Sequence, residues 1–335
     1  MGKIHAAITG VGAYLPDYVL TNDELSRMVD SNDEWITTRV GIKERRIEKD
    51  VNRPASYMGT KAVENLFERT KTKPEEIEVV ICATSTPDHI FPATAAIIAE
   101  NCGIKNALCF DIQAACAGFL TAYTIASNFI ESARKKKVLV VSTEKMSYMV
   151  DYTDRATCPL FGDGAGAALI EPNEEGFGLI DSEMRTDGCG VPYLQMKAGG
   201  SAKAASHETV DAHEHFVYQE GKIVFKHAVT NMSKTTGEIM ERNNLKGEDV
   251  RWFIPHQANL RIIEAVGQRV EIPTENIYVN IEKYGNTSSA TIPICLWEMQ
   301  NSGQLKKGDK IVCATFGAGF TFGSIYINWA YDTQK

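Results

Sequence analysis

The sequence predicts an α/β protein made of two similar halves, with two sheets packed against shared central helices. Two repeats and one alternation predict it. Lys73-Pro74-Glu75-Glu76-Ile77-Glu78-Val79-Val80-Ile81 returns in altered form as Lys246-Gly247-Glu248-Asp249-Val250-Arg251-Trp252-Phe253-Ile254, 173 residues later. The same offset lays Lys137-Val138-Leu139-Val140-Val141-Ser142 on Lys310-Ile311-Val312-Cys313-Ala314-Thr315. One offset at two separate places indicates a domain-sized duplication, not a solenoid. Within each half, short apolar runs alternate with helical segments, as in α/β chains. The expected halves are residues 1–172 and 173–335.

Composition sets the outer bounds. A chain of 335 residues, 44% hydrophobic and 23% charged, has ample material for a globular core. A net charge of −8 excludes nucleic-acid binding by the surface as a whole, and leaves room for a local basic patch. Met1-Gly2-Lys3-Ile4-His5 runs straight into a strand-like segment without an apolar signal region. The eight cysteines form no C-x-x-C pair, and Cys82, Cys109 and Cys313 lie in apolar runs. A disulfide scaffold or structural zinc site is not expected, and a reducing cytoplasm fits best. The Asn-x-Ser matches at Asn231 and Asn286 carry no weight without a secretory signal.

The first strand is expected over Ile4–Thr9, followed by Gly10-Val11-Gly12, which lacks the third glycine of a dinucleotide loop and meets Pro16. Thr21-Asn22-Asp23-Glu24 and Ser31-Asn32-Asp33-Glu34 read as capping boxes for two short helices. The second helix carries Trp35 and Arg39 one turn apart and ends near Gly41. That pair reads either as simple packing or as a flat cationic grip for a base and its phosphates. A helix over Ser56–Arg69 leads to a strand over Val79–Thr84. A loop with Pro87, Phe91 and Pro92 follows, then a helix over Thr94–Asn101 and a buried strand over Ala107–Ile112. Cys116 falls where that strand turns into a long helix. There the unpaired N–H groups and the dipole favour a thiolate, although a free cysteine is more often merely packed. No charged residue lies between Asp111 and Glu131. The length approaches a membrane span, but Gln113, Thr121, Thr124, Ser127 and Asn128 interrupt it, and a buried helix is expected. Phe161–Ala167 reads as a glycine-rich turn, and 188–221 as an irregular excursion holding His207, His213 and His215. Three histidines in a polar loop are more often solvated than metal-bound.

Chemistry concentrates at three strand-end turns. Ile254-Pro255-His256-Gln257-Ala258-Asn259 ends a strand, and the offset carries the Cys116 turn to Asn286-Thr287-Ser288-Ser289. Each residue alone has a bland reading, His256 as a packed side chain and Asn286 as a helix cap. Together they form a Cys–His–Asn set at the strand ends where α/β ligand sites lie. The glycine-rich Phe316–Gly323 supplies backbone N–H groups for an oxyanion. Two chemistries use such a set. A papain-like protease shares the order and the spacing of 140 residues between Cys116 and His256. Its C-G-[SA]-C-[WY] signature is missing, and the duplication does not suit that fold. The other chemistry is carbon–carbon bond formation through a cysteine thioester.

Asp-Ile-Gln-Ala-Ala-Cys-Ala-Gly-Phe around Cys116, Pro-His-Gln-Ala-Asn-Leu-Arg around His256 and Gly-Asn-Thr-Ser at 285–288 resemble β-ketoacyl-(acyl carrier protein) synthase III. So do Ser31–Ile42, Phe161–Ala167 and the C-terminal glycine-rich turn, and the likeness runs from about residue 4 to 330. The resemblance implies a duplicated thiolase-like fold, layered α-β-α-β-α. It implies that Cys116 takes the acyl group of an acyl-CoA primer, with acetyl-CoA expected, and that malonyl-acyl carrier protein is decarboxylated and condensed with it. His256 and Asn286 would hold the malonyl thioester carbonyl, and the N–H groups of Cys116 and Ala318 the oxyanion on the acyl group. Trp35, Arg39, Arg155 and Asn259 match CoA contacts. Gln257, Ala258, Asn259, Leu260 and Arg261, with Lys226, match a carrier-protein surface. Phe91 matches a residue that caps the acyl pocket of the partner in a homodimer. The resemblance implies no cofactor, no nucleic acid, no membrane and a cytoplasmic location. A related CoA-dependent acyltransferase or polyketide starter enzyme is the alternative.

Overall fold

The computed structural model describes residues 4–332. Met1–Lys3, part of the stretch read for a signal, lie outside the described residues.

The chain opens with β1 (His5–Tyr14), longer than expected because Gly10 and Gly12 continue the strand. Gly12 leaves room for a helix passing over it, since a Cβ there would fall 2.3 Å from the Ala62 carbonyl oxygen. A short ribbon, β2 (Val19–Thr21) with β3 (Glu44–Arg46), brackets α1 (Asn22–Leu25) and α2 (Asp33–Val40). Thr21 caps α1 as expected, but the cap of α2 is Asn32, not Ser31, accepting from Trp35 N. Gly41 ends α2 in the left-handed region at φ 80°.

There follow α3 (Ala55–Thr70), β4 (Val79–Ala83), α4 (Thr94–Asn101), β5 (Leu108–Ile112), α5 (Gly118–Glu131), β6 (Val138–Glu144) and β7 (Gly164–Asn173). The strand expected to be buried, β5, is instead a half-exposed edge with Leu108 turned to solvent, because it pairs only with β4. The glycine-rich run is half strand: Gly164–Ala167 already belong to β7.

After β8 (Gly178–Thr186), the excursion over 188–221 is more ordered than its composition suggests. It holds a 3-10 segment, β9 (Leu194–Met196), α6 (His207–Asp211) and β10 (Val217–Gln219), with β9 and β10 paired antiparallel. Apolar Leu194, Met196 and Val217, scattered among polar residues, were too sparse to announce a ribbon. His213 bonds Asp151 at 2.6 Å. The chain closes with α7 (Gly221–Arg242), β11 (Trp252–Pro255), α8 (Leu260–Arg269), α9 (Ile281–Tyr284), α10 (Thr291–Asn301), β12 (Lys310–Gly317) and β13 (Thr321–Asn328).

The two sheets run β1-β7-β6-β4-β5 and β8-β13-β12-β11. Both start with two antiparallel pairings and then a parallel one. Where β5 adjoins β4, the second half has only a parallel bridge from Phe253 to Ile277. The offset of 173 relates β1 to β8, β4 to β11, and α5 to α10. It also relates two left-handed residues, Ala115 (φ 45°) and Ser288 (φ 51°).

Five layers result. Val80, Cys82, Leu139 and Val141 face Met58, Leu66 and Ile98 of α3 and α4. Val79, Ile81 and Val140 on the opposite face meet Phe119, Leu120 and Tyr123 of α5, which pack with Ile292, Leu296 and Met299 of α10 and with Ile254 and Cys313 of the second sheet. Phe253, Val312 and Tyr326 turn outward to Val224, Met232 and Ile239 of α7 and to Val266 of α8. Strands covered on both faces explain the all-apolar runs. No helix of the described residues is long and apolar enough to cross a membrane. The charge-free segment is the central layer.

Candidate active site

Cys116 sits in a 3-10 turn, Ala115–Ala117, between β5 and α5. Two glycines bring the surrounding backbone onto it. A Cβ on Gly317 would lie 2.7 Å from Cys116 N, and one on Gly118 would lie 2.9 Å from Ala83 Cβ and 3.0 Å from Ser289 Cβ. Thr315 Oγ1 donates to the Cys116 carbonyl at 2.9 Å. The helix-start position was expected to lower the thiol pKa. Enclosure by protein outweighs it: burial, opposed by the Ser288 contact, pushes the thiol up to about 12. The residue is only part-buried because its remaining surface opens into a cavity.

His256 follows directly on β11, its N–H continuing the ladder to the Ala314 carbonyl at 2.8 Å. The ring is buried, and burial holds its pKa down to about 3, so it is a neutral imidazole at physiological pH. Nδ1 lies 2.7 Å from Thr291 Oγ1 at the start of α10.

Asn286 follows α9 and is also buried. Its Oδ1 accepts from Ser288 N at 2.8 Å, which leaves the amide NH2 as the available group. Gln113, its counterpart in the first half, accepts from Ala115 N at 3.2 Å in the same way. The duplication thus reproduces the turn and its side-chain brace.

Cys116, His256, Asn286 and Ala318 line one cavity of about 450 Å3. Its walls include Met146, Met149, Phe161 and Phe316, together with Leu194, Met196 and Val217 of the β9–β10 ribbon. A second cavity of about 860 Å3 meets the first at Asn286, Ala258, Val224 and Gln219 and opens between α2, α7 and α8. Trp35, Arg39, Arg155 and Asn259 line it. Two guanidinium groups lie over the Trp35 ring, Arg39 at 4.7 Å and Arg155 at 4.5 Å from its centroid. Such an outer passage with a cationic aromatic mouth, leading to an enclosed thiol, suits a long anionic ligand that delivers its reactive end to sulfur.

The carrier-protein segment divides. Arg261 and Lys226 are exposed and Ala258 and Leu260 part-buried. Gln257 is a correction: it is 1% exposed, and its amide is consumed by the Pro255 and Tyr278 carbonyls and Asn280 N. It braces the turn and presents no surface. Asn259 caps α8, accepting from Arg261 N. Phe91 is 84% exposed and lines neither cavity of its own chain.

Thr291 and Glu144 escaped the sequence reading, and Ser288 entered it only as part of the Asn286–Ser289 turn, with no role of its own. Ser288 is the 173-residue counterpart of Ala115, so the repeat could have found it. Glu144 is the lone acid ending the run from Val138, and it is fully buried.

Comparison with known proteins agrees with this geometry. Residues 110–188 match the family model of 3-oxoacyl-(acyl carrier protein) synthase III, and residues 240–329 match the model of its C-terminal part. A β-ketoacyl-(acyl carrier protein) synthase III of Phocaeicola vulgatus is 55% identical over 335 residues, covering 100% of both chains. The crystal structure of 3-oxoacyl-(acyl carrier protein) synthase III from Aquifex aeolicus superposes with a TM-score of 0.88 at 40% identity, over 97% of this chain and 100% of that one. A priming β-ketosynthase from a polyketide biosynthetic pathway gives 0.91 at 34% identity, over 98% of this chain and 97% of that one.

Proposed function

The chain belongs to the 3-oxoacyl-(acyl carrier protein) synthase III family and is a condensing acyltransferase of fatty acid synthesis. From that premise we propose that Cys116, His256 and Asn286 divide the reaction between them. Cys116 attacks the thioester of an acyl-CoA, acetyl-CoA being the expected primer, and releases CoA. Malonyl-acyl carrier protein then enters, and N–H donors of His256 and Asn286 hold its thioester carbonyl. These donors stabilise the enolate formed as carbon dioxide leaves. The enolate carbon attacks the acyl-Cys116 carbonyl, whose oxyanion is held by the N–H groups of Cys116 and Ala318. The single observation that carries this reading is the shared cavity. A thiol, a neutral imidazole and an oriented amide converge there, with no carboxylate among the lining side chains.

The outer passage receives CoA and the carrier's pantetheine arm in turn, with Trp35, Arg39, Arg155 and Asn259 as its contacts. Arg261 lines this passage and Lys226 is exposed on α7, positive charge on a protein of net charge −8 that would steer an acidic carrier. Exposed Ile90 and Phe91, with the unpaired edge of β5, support a homodimer in which Phe91 reaches the partner's acyl pocket. We assign residues 1–172 and 173–335 to the two halves, the enzyme to the cytoplasm, and no cofactor to the reaction.

Separated half-reactions test the division of labour. His256→Ala and Asn286→Ala are expected to take label from acyl-CoA onto Cys116 yet decarboxylate malonyl-acyl carrier protein at least about 100-fold more slowly. A loss confined to acylation would contradict the roles given. The likeness to the polyketide priming enzyme favours a second reading, a starter enzyme with another primer or acceptor. A kcat/KM for malonyl-CoA equal to that for malonyl-acyl carrier protein would favour it.

A further inference from the structure

Resting on the assignment of Cys116 as nucleophile, we propose that Ser288 and Glu144 form a proton relay that empties the Cys116 thiol on acylation and refills it on condensation. A protonated, enclosed thiol must pass its proton on as the carbon–sulfur bond forms. Among the described residues, the acceptor facing Cys116 Sγ is Ser288 Oγ, at a sulfur-length 3.7 Å. Ser288 Oγ in turn donates to Glu144 Oε1 at 3.0 Å. The line runs from sulfur to a carboxylate through one hydroxyl.

The Ser288 hydroxyl is not needed to build its turn. The counterpart turn in the first half closes with Ala115 at nearly the same left-handed φ. A strained, buried residue carrying an extra polar group aimed at the nucleophile marks function over architecture. Glu144 is fully buried, and among the described residues its hydrogen-bond partners are all neutral: Ser85 N at 3.0 Å, Thr86 Oγ1 at 2.9 Å, Ser289 Oγ at 2.7 Å, Ser289 N at 3.4 Å, Ser288 Oγ and Thr84 Oγ1. A buried carboxylate without a cation accepts a proton readily, and burial raises its pKa. The neighbouring titratable groups are Cys116, Cys82 and Tyr148, each pushed upward chiefly by burial and further by the Glu144 charge. The adjacent Lys145 points away, to the Asp50 and Arg53 carbonyls. His256, across the cavity, is shifted by burial alone.

The steps balance. On acylation the Cys116 sulfur bonds the acyl carbon and the bond to the CoA sulfur breaks. The thiol proton passes to Ser288 Oγ while the Ser288 proton passes to Glu144. CoA leaves as a thiolate and takes a proton from solvent. On condensation the enolate carbon bonds the acyl carbon, the bond to Cys116 breaks, and the departing thiolate recovers the stored proton by the reverse path.

Rapid-quench acylation with labelled acetyl-CoA, from about pH 6 to about pH 9, tests the relay in wild type and in Ser288→Ala, a change the Ala115 turn shows to be sterically acceptable. Wild-type acylation should be nearly flat with pH. Ser288→Ala should acylate about 100-fold more slowly near neutrality, with a rate rising about tenfold per pH unit as the free thiolate takes over. A Ser288→Ala rate within about twofold of wild type, with the same flat profile, would overturn the relay. Infrared difference spectra of acylated minus free wild type supply a second measurement. A protonated-carboxyl band, shifted by carbon-13 glutamate and missing in Glu144→Gln, supports storage on Glu144; its absence from the wild type overturns it. Wild type that takes no label on Cys116 would overturn the nucleophile assignment itself, a distinguishable failure.

Discussion

The proton on His256 decides what the ring can do for an enolate. A neutral imidazole carries one N–H, and Thr291 determines which nitrogen bears it. Thr291 Oγ1 lies 2.7 Å from Nδ1 and 3.2 Å from the Ser288 carbonyl, an oxygen that can only accept the hydroxyl hydrogen. The role proposed for His256 requires the hydroxyl to turn from that carbonyl and donate to Nδ1, which places the N–H on Nε2, free for a substrate carbonyl. Thr291→Val should slow malonyl decarboxylation on the order of tenfold or more while sparing Cys116 acylation, and Thr291→Ser should restore it. Equal losses in both half-reactions would contradict this positioning role. Burial of His256 also has a thermodynamic signature. With a folded pKa of about 3 against about 6.5 unfolded, only the unfolded chain binds this proton between those values. Its contribution is therefore full above about pH 6.5 and lost as pH falls toward 3, by about 1.4 kcal/mol per pH unit. Asp163 has the opposite sign: burial raises it to about 6, so its contribution is present below about 3.8 and lost between there and 6. The unfolding free energy of wild type relative to His256→Gln isolates the first effect. That difference should shrink as pH falls through the window; parallel curves would contradict it.

At the next scale up, two turns at the heads of α5 and α10 hold the site, and Gly118 sets their separation. Gly118→Ala places a methyl within 3.0 Å of Ala83 and Ser289, and should cost about 1–3 kcal/mol and lower Tm by several degrees. Acylation should slow as the Cys116 turn moves from Ser288. An unchanged Tm and rate would show that the contact yields freely. The same elements mark what a sequence can reveal. Strands β4 and β6 were legible because burial on both faces writes a continuous apolar run, and α4 because its two ends are punctuated. The exposure of β5 was not legible, because an edge strand and a central one share a composition when half of the edge is covered. Nor was the β9–β10 ribbon, whose apolar residues face a cavity and not a core.

For the molecule as a whole, duplication is the feature that organises everything else, and it was legible from one offset at two places. It foretold paired sheets, the central helices and companion turns for Cys116, His256 and Asn286. It could not foretell Gln257 as a brace, since only the folded turn brings Tyr278 and Asn280 to its amide. The relay from Cys116 to Glu144 joins residues of both halves, a tertiary contact that no local pattern records. The central claim is that Cys116 carries the acyl group. Incubation with isotopically labelled acetyl-CoA, followed by digestion and mass spectrometry, tests it most directly. One acyl group on the peptide containing Cys116, absent in Cys116→Ser together with condensing activity, is the predicted result. Label on another residue, or full activity in Cys116→Ser, would contradict it.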